Sequence, residues 1–404
     1  MKATDIFQAV KSSFSSQMPS PKIYLDNNAT TPLDDRVKTA ISDALDLWAN
    51  PSSNNENALK AAKAILESRN HLAEMFNVKK EDVVFTSGGT ESNNWVIEGA
   101  IRSARKNGKK PHVVTTNIEH PSILNPLQRR ENDGEISVTY VSVNPSTGFV
   151  TPASVLQAVT SDTCLVTVML ANNETGVLQP VSEICRMIRN KFKENSPFLH
   201  SDVAQAAGKI PVDVKSLGVD AVTVVGHKFY GPRNGALIYN SKSARLPPML
   251  LGGNQESGLR SGTENTPMIV GLGEAARIYN EASSNIESVL TQNRDYFEEL
   301  LVKRLRNSHL IHFLGSPRLS NTSSVAFLDY PSHGCDLLEK CQTFSASTGA
   351  ACHKNECSPI LKACGISFAL ASKTVRISFG RSTKLAEIET VVDELVELCS
   401  SENK

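Results

Sequence analysis

Three short stretches of this chain carry side chains that could do chemistry together. The first, Ser87-Gly88-Gly89-Thr90, follows a β-branched run and precedes a helical pattern. Glycines ahead of a helix leave its first N–H groups unpaired and approachable, which suits a phosphate; a Ser or Thr there can also be a plain helix cap. The second, His200-Ser201-Asp202-Val203-Ala204-Gln205, closes a buried strand on an acid with no evident cation partner. A protonated pyridine nitrogen would partner it and turn the ring into an electron sink, whereas the plainer reading is an N-cap aspartate. The third is Gly226-His227-Lys228-Phe229-Tyr230-Gly231-Pro232, after the apolar run 221–225. In low dielectric a lysine is held towards its neutral amine, a nucleophile for an aldehyde; alone, such a lysine would more often be solvated. Phosphate cup, acid and lysine on three strand ends together point to pyridoxal 5'-phosphate.

Those ends need a sheet to bring them into one place. β-Branched runs at 83–86, 112–116, 137–143, 165–170, 198–201, 221–225 and 236–239 predict seven strands. Amphipathic segments such as 91–105 and 180–192 lie between several of them. Near-continuous apolar strands alternating with helices predict an α/β fold with a mostly parallel sheet covered on both faces. In such sheets ligands collect beyond the carboxyl ends of the strands. A long helical pattern at 267–306 reads as a connector, followed by strands at 324–328 and 374–379 and a helix at 386–398. The division is then a flexible arm at 1–20, a large α/β domain at 21–265 and a smaller α+β domain at 266–404.

The 404 residues carry 42 basic and 42 acidic side chains, so no charge excess draws the chain to nucleic acid or an anionic membrane. A membrane span needs about 20 apolar residues in a row, and the apolar runs here are short. Eight cysteines lie scattered without a secretory leader, so reduced thiols in the cytosol are expected. Cys352, His353, Cys357 and Cys364 lack the paired spacing of a zinc site, and no metal is expected. His353, Cys357 and Cys364 are read as loop and surface residues.

The chain resembles the class V, fold-type I pyridoxal-phosphate enzymes of the cysteine desulfurase and selenocysteine lyase group. The likeness runs from Leu25-Asp26-Asn27-Asn28-Ala29-Thr30-Thr31-Pro32 to Arg376-Ile377-Ser378-Phe379-Gly380-Arg381. Thr86-Ser87-Gly88-Gly89-Thr90-Glu91-Ser92-Asn93-Asn94, Gly262-Thr263-Glu264-Asn265-Thr266-Pro267 and Gly349-Ala350-Ala351-Cys352-His353 resemble the selenocysteine lyases within it. The resemblance implies that Lys228 binds the cofactor covalently and moves protons, and that His120 stacks on its ring. It implies that Asp202 holds the ring nitrogen and Gln205 the phenolic oxygen, with Gly89, Thr90 and His227 on the phosphate. Thr263 would reach the phosphate of a neighbouring subunit, implying a homodimer. Asn173 and Arg376 would hold an amino-acid substrate, with Arg376 on its carboxylate, a task for a planar guanidinium. Two departures stand out: Val225 where many cysteine desulfurases carry serine, and Pro121 where mammalian selenocysteine lyases carry aspartate.

Cys352 lies among small residues, a composition that favours a loop over a packed element. With the resemblance it reads as the reactive thiol that takes or protonates the chalcogen. The expected reaction is removal of selenium from L-selenocysteine to leave L-alanine, and the released chalcogen would pass to an acceptor protein. The main rival is a cysteine desulfurase that leaves sulfur as an enzyme persulfide. An aminotransferase for another small amino acid and a catalytically silent scaffold are further readings. The first would not need Cys352, and the second would not need the chemical positions intact.

Overall fold

The β-branched runs build the expected sheet. The computed structural model describes residues 22–106, 108, 110–305, 309–348 and 357–401. The arm at 1–20, Cys352 and His353 lie outside these residues. The chain enters through a short strand, β1 (Ile23–Tyr24). It then forms β2 (Val83–Thr86), β3 (His112–Thr116), β4 (Ser137–Val141), β5 (Thr163–Thr167), β6 (Phe198–Asp202), β7 (Ala221–Val225) and β8 (Gly235–Tyr239). These seven make one sheet in the order β2-β8-β7-β6-β5-β3-β4. β8 runs antiparallel to both its neighbours, and every other pairing is parallel. The carboxyl ends of β2, β3, β5, β6 and β7 therefore share one edge of the sheet.

Two strands of this sheet differ from expectation by more than one residue at an end, for reasons visible in their hydrogen bonds. The run expected at 165–170 starts earlier because the buried Thr163 hydroxyl is paired with His112 Nδ1 at 2.8 Å. Its ladder with β6 continues past Thr167, since Val168 and Leu170 donate to the carbonyls of His200 and Asp202 at 3.1 and 3.0 Å. β4 stops at Val141, and the Val143 N–H is taken by the Asn117 side chain at 3.2 Å. Inside the sheet, His200 bridges Thr167 and Thr223 at 2.9 and 3.0 Å. Burial pushes its ring pKa down to about 3, so it is a neutral core histidine whose two nitrogens are both satisfied.

The predicted connector is the helix Thr266–Leu305, kinked at Ala282 (φ −135°). Its first half puts Ile269, Leu272 and Ala276 into the core around the large sheet. Its second half puts Phe297 and Leu301 into a separate core with Val325, Phe327, Val375 and Ile377. That second core is roofed by β9 (His309–Ile311), β10 (Thr322–Phe327) and β12 (Thr374–Ser378), in the order β12-β10-β9. The helix Leu385–Ser401 packs there too, contributing Ile388, Val392 and Leu395. β1 pairs in parallel with β11 (Phe344–Ser345), so Leu25 is buried in this second core. Among the described residues, no helix is long and apolar enough to cross a membrane.

Cys364 corrects one expectation. It is 1% exposed, at the end of the short helix Pro359–Ala363, and it packs in the large core with Ile360. Small loop-like composition hides this, because only the fold shows which face of so short a helix is covered. Burial pushes its thiol pKa up to about 12, so it is not a reactive group.

Candidate active site

Each strand end delivers a different side chain to one cavity of about 360 Å³, within the range of small-molecule sites. Gly89, Thr90, His120, Asn173, Asp202, Gln205, His227, Lys228 and Arg376 all line it. Thr263 does not; it lines a separate hollow of about 270 Å³ with Arg233 and Arg260. Cys352 falls outside the described residues, although Ser347, at the start of the stretch that leads to it, lines the main cavity.

The phosphate end is built from close backbone approach. The helix Gly89–Lys106 starts at the cavity wall, and its first N–H groups have no helical partner. A Cβ on Gly89 would stand 2.6 Å from Val225 Cγ2, so the glycine lets the helix start meet β7. At the mouth of β8, a Cβ on Gly235 would meet the Val224 carbonyl at 2.4 Å and Gly88 at 3.1 Å. The antiparallel β8 can therefore sit between β2 and β7 without blocking the turn. Val225 in place of serine is thus a packing partner of Gly89, and main-chain N–H groups are left to hold a phosphate there. Gly89→Ala is expected to lower Tm through overpacking of about 1–3 kcal/mol and to weaken cofactor uptake. A thermal melt with an absorbance titration checks both; an unchanged melt would mean Val225 swings aside.

At the other end, Asp202 is 8% exposed. One carboxylate oxygen accepts from Asn93 Nδ2 at 2.8 Å, and the other accepts from its own turn, the Ala204 N–H, at 2.9 Å. The N-cap-like contact does not keep Asp202 from lining the cavity. Asn93 was not picked out from the sequence, yet it lies one helical turn beyond Gly89 on the same face, and that spacing was the available signal. Its Nδ2 also donates to Ser122 Oγ at 2.8 Å. The Ser122 hydroxyl and its backbone N–H then both meet His120 Nδ1, at 2.8 and 3.1 Å. Nδ1 is therefore an acceptor, and the ring carries its proton on Nε2. Burial is the first cause holding the His120 pKa below the usual range; Asp202 opposes it and Lys228 adds to it.

His120 also caps the helix Pro121–Asn132, with Pro121 at its first position. Proline fits there because no N–H is needed and its φ is already helical. Pro121 does not line the cavity. The preceding Glu119 is fully buried; it accepts the Thr116 hydroxyl at 2.6 Å and the Met169 N–H at 2.9 Å, tying the ends of β3 and β5 together. Burial pushes its carboxyl up to about 8.

Lys228 Nζ donates to the carbonyls of Asn28 and Ala29, each at 2.7 Å. Burial first, and then the Arg376 charge, bring its pKa down to about 8. Arg376, on β12, is 4% exposed. It donates to the Asn173 carbonyl at 2.9 Å and to Asp26 Oδ1 at 2.5 Å. Its Nε is buried without a partner, as is Asn93 Oδ1. Arg376 lines the cavity, and a guanidinium there fits a carboxylate. His227 meets Thr30 Oγ1 at 3.0 Å, and burial, then Lys228 and Arg233, push its ring down to about 4. Helix N–H groups for a phosphate, an acid for a ring nitrogen and an amine near neutrality fit pyridoxal 5'-phosphate as a set.

The fold is the fold-type I α/β arrangement, and the site fits the class of enzymes that use such a cofactor. The family model "Aminotransferase class-V" matches residues 23–391. Selenocysteine lyase of Rattus norvegicus is 44% identical over 406 residues, covering 93% of this chain and 94% of that protein. Cysteine desulfurase IscS of Methanosarcina thermophila is 35% identical over 381 residues, covering 93% and 91%. A solved "NifS-like protein" superposes with a TM-score of 0.85 at 30% identity, covering 94% of this chain and 100% of that one. The chain belongs to the aminotransferase class-V family, whose members are pyridoxal-phosphate-dependent enzymes.

Proposed function

We propose that this enzyme holds pyridoxal 5'-phosphate and removes selenium from L-selenocysteine, leaving L-alanine. One observation carries the reading: Lys228, Asp202, Arg376 and the start of the helix Gly89–Lys106 line one cavity. Similarity to selenocysteine lyases at up to 44% identity supports the choice of substrate.

When bound, the cofactor withdraws electrons from the substrate α-carbon and so weakens the bond at the β-carbon. The protein's residues supply the rest. Gly89, Thr90 and His227 hold the phosphate, Asp202 the ring nitrogen and Gln205 the phenolic oxygen, while His120 covers the ring face. Arg376 and Asn173 orient the substrate carboxylate. The Lys228 amine, near neutrality, takes the α-proton. Cys352 would receive the chalcogen at the zero-valent level, the bonding pair remaining on the β-carbon. Two separate cores support two units, but the first half of the helix Thr266–Leu305, Ile360 and Cys364 pack in the large core and Leu25 in the second, so the cores do not divide at residue 265. Thr263, away from its own cavity, fits a homodimer in which it reaches the neighbouring site.

A second reading, a cysteine desulfurase, rests on Pro121 and on the IscS likeness. Because Pro121 does not line the cavity, it would act on selectivity through the position of His120. Alanine release from L-selenocysteine and from L-cysteine, measured side by side, tests both. A large preference for selenocysteine is expected; comparable rates would favour the desulfurase, and no alanine from either would end both readings.

A further inference from the structure

Behind the cavity wall lies a lysine that none of these roles uses. Lys209 is 4% exposed, on the turn that follows β6. Its Nζ donates to Gln205 Oε1 at 2.9 Å and to Asn28 Oδ1 at 2.8 Å. Both partners are neutral amides. A buried lysine bonded to two amides is costly unless it organises something.

What it organises is the direction of those amides. The two ends of a carboxamide have the same shape, and only the neighbours decide which end faces where. Burial first, and then the Lys228 and Arg376 charges, hold the Lys209 pKa well below the usual lysine value. Yet both contacts of its Nζ are N–H donations, and only the amide oxygens can receive them. The Gln205 amide must then turn its Nε2 the other way, where it donates to the Asn28 carbonyl at 3.0 Å. Its second N–H is left for the cavity that Gln205 lines. Asn28 is held by the same rule. Its Oδ1 accepts from Lys209 and from Asn321 Nδ2 at 3.1 Å. Its Nδ2 donates to Thr322 Oγ1 at 2.9 Å and to the Asn173 carbonyl at 3.3 Å. The Asn28 carbonyl is also where Lys228 Nζ rests, at 2.7 Å.

We infer that Lys209 is a positioning residue: it fixes the amide sense of Gln205, so that the cavity is offered a donor. This deepens the reading that the cavity holds pyridoxal 5'-phosphate, and it rests on that reading. A donor at Gln205 would face the anionic ring oxygen of the cofactor; a flipped amide would face it with an oxygen.

Equilibrium uptake of pyridoxal 5'-phosphate by the full chain, followed by visible absorbance and paired with Tm, tests this. Lys209→Met is expected to weaken uptake roughly tenfold, the scale of one lost buried hydrogen bond. Gln205→Leu should lose a similar factor, and the double variant should be no weaker than Gln205→Leu alone, because the lysine acts through the amide. Multiplied losses in the double variant, or wild-type uptake by Lys209→Met, would overturn the inference. Should Lys209→Met fail to fold, Gln205→Glu decides. A carboxylate facing Lys209 should hold or raise Tm while uptake falls at least about tenfold; a lowered Tm or undiminished uptake refutes it. A wild-type chain that takes up no cofactor would defeat the functional reading instead, and the Tm of Gln205→Glu would still report on the lysine.

Discussion

Lys228→Ala is expected to lower alanine formation by at least about a thousandfold, the loss that follows when one residue serves as both covalent anchor and proton carrier. The structure gives the reason in the amine's surroundings. Two carbonyls hold Nζ, and burial and Arg376 bring its pKa to about 8. Near pH 8 about half the amine is therefore neutral, which a free lysine with a pKa of about 10.4 would not be. Cofactor capture by the wild-type chain should rise with pH through about 8. The sign for stability follows from the same shift. The folded value is about 8 against 10.5 for an unperturbed lysine, so between these the unfolded chain binds more protons. This group's contribution to stability therefore increases with pH across that window, and below it the burial of the charge opposes folding. Lys228→Ala should accordingly melt no lower than wild type at pH 7. A variant with wild-type turnover would remove Lys228 from the chemistry; a lowered melt at pH 7 would remove the burial argument.

The second large effect concerns Cys352. Cys352→Ala is expected to reduce alanine formation from L-cysteine to about a hundredth or less, in line with loss of a nucleophile. On this reading, with L-cysteine the Cys352 thiolate would attack the substrate sulfur. The Cβ–S bond breaks with its electron pair remaining on carbon, protonation gives alanine, and the sulfur stays on the protein as Cys352–S–SH. With L-selenocysteine the Cβ–Se bond would likewise break with its electron pair remaining on carbon, selenium passing at the zero-valent level to an acceptor thiol. Because that bond is weaker, it would depend less on attack by Cys352, so the same variant should lose less on that substrate. Loss on both substrates in the variant, together with a persulfide on the wild-type enzyme, would favour the desulfurase reading. Undiminished turnover of L-cysteine would remove Cys352 from the mechanism.

Much of the site was legible because it lies at strand ends. Val83–Thr86, Phe198–Asp202 and Ala221–Val225 are β-branched or apolar runs that stop on chemically unusual residues. A parallel sheet brings such ends to one edge. The ring-stacking, phosphate and substrate positions came from resemblance, and the cavity gathers all of them except Thr263 and Cys352. Periodicity could not show the antiparallel β8 between β2 and β7, because strand order depends on contacts far apart in sequence. Nor could it show that Cys364 is buried, since a helix as short as Pro359–Ala363 gives too few turns to read a face.

The sequence alone determined the α/β class, the strand ends and the identities of the chemical groups on them, because these follow from local runs and their spacing. The tertiary structure decided the states those groups occupy. His120 carries its proton on Nε2 only because Ser122 meets Nδ1, and Arg376 is fixed at the cavity wall because the Asn173 carbonyl and Asp26 hold its two terminal nitrogens. Lys209 became visible only when the turn after β6 folded against Asn28, from the far N-terminal end of the described chain. Protonation, amide direction and pKa are set by neighbours in space and by burial, and neither is written in the order of the residues.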